Sequence, residues 1–224
     1  LAGATPKATA EAFGGGFWSL IPFTMQMAFV VIGGYAVATA PIVARFIDQL
    51  ARVPRSGRGA IVYVGLVSML ASLLSWGFSL VFGGLLVRAL ARRSELKMDY
   101  RAAGAAAYLG LGAVWAMGLS SSAAQLQANP ASMPPGLLEI TGVLPFTETI
   151  FLWQSIVLTA VLIGVSLLIC WVTAPQGRAA RTAADFPEAA QSEPDKALPP
   201  RTRPGEWLEY SPLLTVLLSL LAFG

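Results

Sequence analysis

Between Arg58 and Arg88 lies an uncharged run of 28 residues, Ala60 to Val87. Arg52, Arg55 and Arg58 precede it, and Arg88, Arg92, Arg93, Lys97 and Arg101 follow it. As one straight helix the run would measure about 42 Å, against a hydrocarbon core of about 30 Å. Lys/Arg-rich flanks mark cytoplasmic segments, so both ends of the run are expected on the same side of a membrane. Its middle reads Ser75-Trp76-Gly77-Phe78-Ser79, where a glycine and two hydroxyls interrupt the aliphatic sequence. Two arms of about a dozen residues, each about 18 Å long, would meet at that tip past the midplane. The pattern predicts a re-entrant helical hairpin over 60–87. A long tilted span is the competing arrangement, because tilt absorbs excess length.

Composition supports a bilayer environment. The 224 residues are 55% hydrophobic and only 12% charged, where soluble domains carry about 25% charged residues. The net charge of +3 is not a nucleic-acid signal, because the basic residues sit between apolar segments. Cys170 is the one cysteine and lies inside an apolar run, so neither a disulfide framework nor a metal site is expected. The chain contains no histidine, and with it goes the usual acid–base and metal-ligand residue. No cofactor is expected. Leu1 opens the chain without the basic and apolar pattern of a signal peptide. The last segment, 211–224, has about 12 apolar residues from Leu213, short of the roughly 20 that span. The sequence therefore reads as the N-terminal part of a longer membrane protein.

The remaining segments fall into place around the hairpin. Residues 1–16 read as a loop and 17–40 as the first span, with Trp18 as interfacial anchor. Residues 41–58 predict a cytoplasmic surface helix and loop: Pro41 suits a first turn, and Ile42, Phe46, Ile47, Leu50 and Val53 recur opposite Arg45, Asp48 and Arg52. A second span covers 102–127, interrupted near 118–122, and 128–148 reads as an external loop rich in proline. From Ala102 to Gly177 there is no Lys or Arg, which puts that loop outside. Thr147 is a candidate N-cap for a span over 149–173. Residues 174–207, rich in proline, alanine and mixed charge, read as a mobile cytoplasmic linker.

Three polar clusters fall within apolar segments. At the tip, Ser75 to Ser79, one arm ends where another begins, so unpaired carbonyls face unpaired N–H groups. The starting arm suits a carboxylate and the ending arm a cation; Trp76 and Phe78 would supply apolar walls, while Gly77 equally suits close helix packing. Gly118-Leu119-Ser120-Ser121-Ser122 is the second cluster. Three consecutive serines cannot share one helix face, so either the helix is interrupted at a cavity or the segment meets headgroups. The third is Thr24-Met25-Gln26-Met27, where Gln26 is either a helix–helix hydrogen bond or a solute contact. Ser68, on an arm away from the tip, is expected to matter little. No Asp, Glu, Lys or Arg lies inside a span, so an anion here would be held by helix ends and hydroxyls.

At these residues the chain resembles the bacterial short-chain fatty acid transporters, a family within the ion-transporter superfamily of membrane carriers. Phe17-Trp18 with Phe23-Thr24-Met25-Gln26-Met27 resembles that family's early "FW…FxMQM" span. Ser75-Trp76-Gly77-Phe78 followed by Gly83 is similar to its "NWGF…G" tip. Asp99-Tyr100, Ala107-Tyr108 and Gly118 to Ser122 are similar to "DY…AY…GLSGS", and Leu144-Pro145 with Thr147 to Ile150 to the opening of the next span. Ser75 stands where the family often has Asn and Ser121 where it often has Gly, and the proline expected soon after the serine cluster is missing. The resemblance implies an all-α polytopic membrane protein built as an inverted repeat, of which this chain is the N-terminal part. It implies a site for a small carboxylate solute such as acetoacetate or butyrate, formed by Ser75, Trp76, Gly77, Phe78, Ser79, Gly118, Ser120, Ser121, Ser122 and Gln26. A coupling ion, proton or sodium, and a homo-oligomer remain open at this level. A dicarboxylate carrier and a non-transporting anchor are the alternatives. An enzyme is disfavoured, for no histidine, paired carboxylates or Ser–His arrangement is present.

Overall fold

The computed structural model describes residues 3, 5–38, 40–133 and 135–186, so the expected segment 211–224 and most of the linker lie outside them. Nine α-helices and no strand occur among the described residues: α1 (Pro6–Ser19), α2 (Ile21–Ala38), α3 (Pro41–Leu50), α4 (Gly57–Leu74), α5 (Trp76–Ala91), α6 (Tyr100–Leu109), α7 (Ser122–Ala128), α8 (Pro135–Thr141) and α9 (Trp153–Thr173). Four stretches are long and apolar enough to cross a membrane: Pro6–Ala38, Gly57–Leu74, Tyr100–Ala128 and Trp153–Thr173. The protein is an all-α polytopic membrane protein.

The helical hairpin is made by α4 and α5, which break at a single residue. Ser75 adopts extended backbone (φ −153°, ψ 116°), ends α4 and caps α5 through its hydroxyl, which accepts from Phe78 N–H at 3.3 Å. Trp76 to Ser79 are thus the first turn of the second arm rather than part of a five-residue tip. The arms have 18 and 16 residues, about 27 and 24 Å, longer than the apolar run alone suggests. Helix α4 starts early because Ser56 Oγ accepts from Gly59 N–H at 3.1 Å. Helix α5 runs on through Arg88, a cation suited to the last turn.

The arms are antiparallel. Ser79 Oγ donates to Ser68 O at 2.6 Å near the closed end. At the open end, a Cβ on Gly57 would lie 2.6 Å from Leu96 O. There Arg93 clamps the base, donating to Ala51 O (2.8 Å) and Pro54 O (2.9 Å) while pairing with Glu95 at 2.7 Å. The core lies where α4, α5 and α6 meet, on Ile61, Val64, Leu86, Leu90, Ala103 and Ala106, all essentially buried. Helix α2 packs on α5 and α9 on α4. Small residues set the spacing, as in membrane interfaces generally: Gly83 sits against Ser68 and Ala107, and Gly110 against Ser68 O and Ser72. At Gly110 helix α6 loosens into a π turn, Gly110–Val114, then a 3₁₀ turn, Trp115–Met117.

Several boundaries depart from expectation. Residues 6–16 are helical, not loop: Thr5 Oγ1 accepts from Ala8 N–H at 3.2 Å, Pro6 stands in the first turn, and Lys7 pairs with Glu11. Thr147 does not cap α9. It lies in a 3₁₀ turn, Phe146–Glu148, and α9 begins at Trp153 after Leu152. The expected external loop contains α8. Residues 174–186, read from composition as mobile linker, carry two 3₁₀ turns and fold back on the start of α6. Asp99 is the reason. Its buried carboxylate accepts from Ala102 N–H (2.8 Å), Arg181 N–H (2.8 Å) and Arg101 (3.1 Å), and Tyr100 N–H donates to Arg181 O at 2.8 Å. With Arg58 stacked over the Trp171 ring at 5.1 Å, the basic ends of α4, α5, α6 and α9 share one end of the bundle.

Candidate functional site

Two of the three polar clusters meet at the far end of the hairpin. Gly118 leaves the helix in extended backbone (φ −112°, ψ −176°), and residues 118–121 pass directly over the Ser75 break. Leu119 N–H donates to Leu73 O at 2.7 Å. The Ser120 hydroxyl donates to Ser72 O at 3.1 Å and accepts from Trp76 N–H at 3.1 Å. One side chain therefore serves the carbonyl end of α4 and the N–H end of α5 together. Ser121 then caps α7, accepting from Ala124 N–H at 3.3 Å, and Gln125 Nε2 donates to Leu119 O at 2.7 Å. Gly118 is required for this approach: a Cβ there would overlap Leu73 O and Cα.

Helix α2 supplies a wall. Its backbone touches that of α5 at a glycine pair, for a Cβ on Gly34 would lie 2.6 Å from Phe78 N and one on Gly77 2.8 Å from Val30 O. Beside this crossing is an open crevice of about 410 Å³, lined by Phe29, Val30, Gly33, Val37, Ser75 and Phe78 among others. Its size falls in the range of small-molecule sites, about 300–1,000 Å³. The lining is almost wholly apolar; Ser75 is its one polar residue, and its hydroxyl is engaged in capping α5. The first turn of a 16-residue helix carries partial positive charge.

The expected site residues separate into groups. Ser75, Trp76, Gly77 and Phe78 gather with Ser120 and Gly118 at the break; Ser121 and Ser122 start α7 just beyond. Ser79 points the other way, fully buried and committed to Ser68 O. Gln26 is exposed on α2, one turn before Val30, and does not line the crevice. Ser68 lies between the arms, where its carbonyl holds Ser79 and its own side chain is fully buried. Sequence reading also missed Ser72 and Leu73, whose carbonyls receive the interrupted segment. The available signal was Gly65, Ser68 and Ser72 at helical spacing, a small-residue face. The Ser68 and Ser72 hydroxyls are buried without a hydrogen-bond partner among the described residues. Ser68 packs against Gly83 and Ser72 against Gly110. Among the described residues no group of His, Cys, Asp or Glu could hold a metal ion.

Comparison with known proteins bears on what this geometry serves. The family model described as short chain fatty acid transporter matches residues 1–224. A protein of Escherichia coli (strain K12) named "Putative short-chain fatty acid transporter" is 31% identical over 222 residues, 98% of this chain and 49% of its own length. One of Haemophilus influenzae with the same name is 32% identical over 174 residues, 76% of this chain and 37% of its own. The chain thus spans about half, or less, of the curated relatives it matches. No solved structure matches. With one family model covering every residue, the chain belongs to the short-chain fatty acid transporter family.

Proposed function

We propose that the chain forms part of a secondary transporter that carries small monocarboxylates across the cytoplasmic membrane, with the solute in the crevice between α2 and the Ser75 break. The crevice lining carries this reading: a short acyl chain fits against Phe29, Val30 and Phe78, and the carboxylate against Ser75 and the start of α5. A helix N-terminus supplies about half a charge, typically worth 0.3–1 kcal/mol and about 2 when partly buried. That suits a weakly held monoanion. A dianion would call for Arg forks, and no Arg or Lys lines the crevice. Trp76 N–H is taken by Ser120, so a carboxylate reaching that donor displaces the serine. Proton or sodium coupling fits the reading, as does a homo-oligomer.

In proteoliposomes of the whole protein, unlabelled butyrate or acetoacetate is expected to compete with labelled butyrate, while succinate at equal concentration does not. Strong competition by succinate with butyrate poor would transfer the assignment to the dicarboxylate reading. No uptake of any carboxylate would leave an anchor.

The basic end is assigned to the cytoplasm, with α4 and α5 entering and leaving the bilayer there as a re-entrant hairpin. Supporting this, Arg93 ties the end of α5 to the loop before α4, so the flanks share a side. Single cysteines at Arg55 and Ser94, in a Cys170→Ser background, should react only with a membrane-impermeant reagent admitted from the cytoplasm. Labelling of either from outside sinks this topology.

A further inference from the structure

A second groove, on the opposite stretch of α5 from the crevice, has a different chemistry. It holds about 420 Å³ between α2, α5 and α6. Arg88 and Tyr100 stand at its basic end, and Leu80 and Tyr108 at the other. Eight residues separate Leu80 from Arg88, about 12 Å along the helix, close to one leaflet of a roughly 30 Å hydrocarbon core. Gly84 and Gly104 line it, and a Cβ on either would have no atom within 4 Å. The groove is therefore open at both glycines, whereas a Cβ on any other glycine of α4 or α5 would meet a neighbouring atom within 4 Å.

The charge at its mouth is uncommitted. Arg88 is exposed in the last turn of α5 and makes no ion pair among the described residues. Of the carboxylates near that end, Glu95 is engaged by Arg93 and Asp99 by Arg101, and Asp48 on α3 makes no ion pair with Arg88. An apolar channel one leaflet deep, with an unpaired guanidinium at the headgroup level, has the polarity of a phospholipid standing in that leaflet. A packed helix would need a carboxylate at that one depth to match Arg88; an anionic lipid brings its phosphate there by construction, and basic pockets between membrane helices hold such headgroups.

We propose that this groove holds an acyl chain of an anionic phospholipid of the leaflet at the basic end, with the phosphate on Arg88. The test uses the full chain in detergent, with phosphatidylglycerol or phosphatidylcholine added and retained lipid read by native mass spectrometry. Phosphatidylglycerol should bind about fivefold tighter, the contribution of one basic residue at a membrane surface. Arg88→Gln should bring it to the level of phosphatidylcholine, whereas Arg92→Gln should leave the preference in place. Gly84→Leu and Gly104→Leu, which fill open space and so spare the fold, should each reduce retention of both lipids. Equal binding of the two lipids by the unaltered chain would overturn the proposal. So would a preference surviving Arg88→Gln, or retention unchanged in both leucine variants. A cysteine at Gly84 that cross-links to another helix of the protein, with no lipid retained, would assign the groove to a protein contact instead.

Discussion

Gly118→Val is expected to lower the stability of the folded protein by about 3 kcal/mol or more and to abolish transport. The backbone there is extended and open to any residue, so the effect is steric. A Cβ would overlap Leu73 O and Cα, and overpacking of this kind costs about 1–3 kcal/mol by itself. Moving residues 118–121 away also loses the Leu119–Leu73 bond and both bonds of Ser120, each worth about 0.5–1.5 kcal/mol. Gly112 is the control. A Cβ there meets only the Tyr108 ring, at 3.5 and 3.8 Å, ordinary contact, so Gly112→Ala should change little. Thermal unfolding of the two variants in detergent decides the matter: comparable midpoints would mean the segment does not seat on the hairpin.

Removing the Asp99 carboxylate should be nearly as damaging, and its effect should depend on pH. Burial alone would raise the Asp99 pKa, but the Arg181 and Ala102 N–H groups and the Arg101 guanidinium outweigh it and hold the carboxyl below the ordinary range. A folded-state value below the unfolded one, about 3.9, means the stabilisation is complete above that pH and is lost as pH falls through the folded-state value. Asp99→Ala removes the acceptor of two part-buried backbone donors, at about 0.5–1.5 kcal/mol each, and should release residues 181–186 to added protease. Asp99→Asn keeps an acceptor but should flatten the fall in unfolding temperature on going from pH 5 to pH 3. A variant whose acid profile parallels the unaltered protein would show that the charge contributes nothing to the dock.

The fold-back of α5 on α4 was legible in the sequence because two independent constraints, run length and flank charge, pointed to the same arrangement. The serine interruption was legible because three successive hydroxyls cannot share a face. Arm length was not, since it depends on Ser56 capping α4 and on Arg88 extending α5 beyond the apolar run. Helix α1 was missed because Gly14-Gly15-Gly16 and several alanines lack a hydrophobic period, while Thr5 and Pro6 fix its start locally. Docking of 174–186 escaped composition altogether, because a single carboxylate 82 positions away organises it. Ser79 and Ser120 were both chosen as hydroxyls near a break. Only tertiary placement separates the one that braces the inner face of the hairpin from the one that closes its end.

Order of assembly is constrained by that closure. Ser120 lies 48 positions after Ser72 and 44 after Trp76, so the ends of α4 and α5 are synthesised long before the residues that saturate them. Until then the Ser72 carbonyl and the Trp76 N–H lack the partner they have in the folded protein, and a buried backbone group left unpaired costs free energy. The hairpin can therefore emerge early but settle only late, once the chain has been made through Ser121.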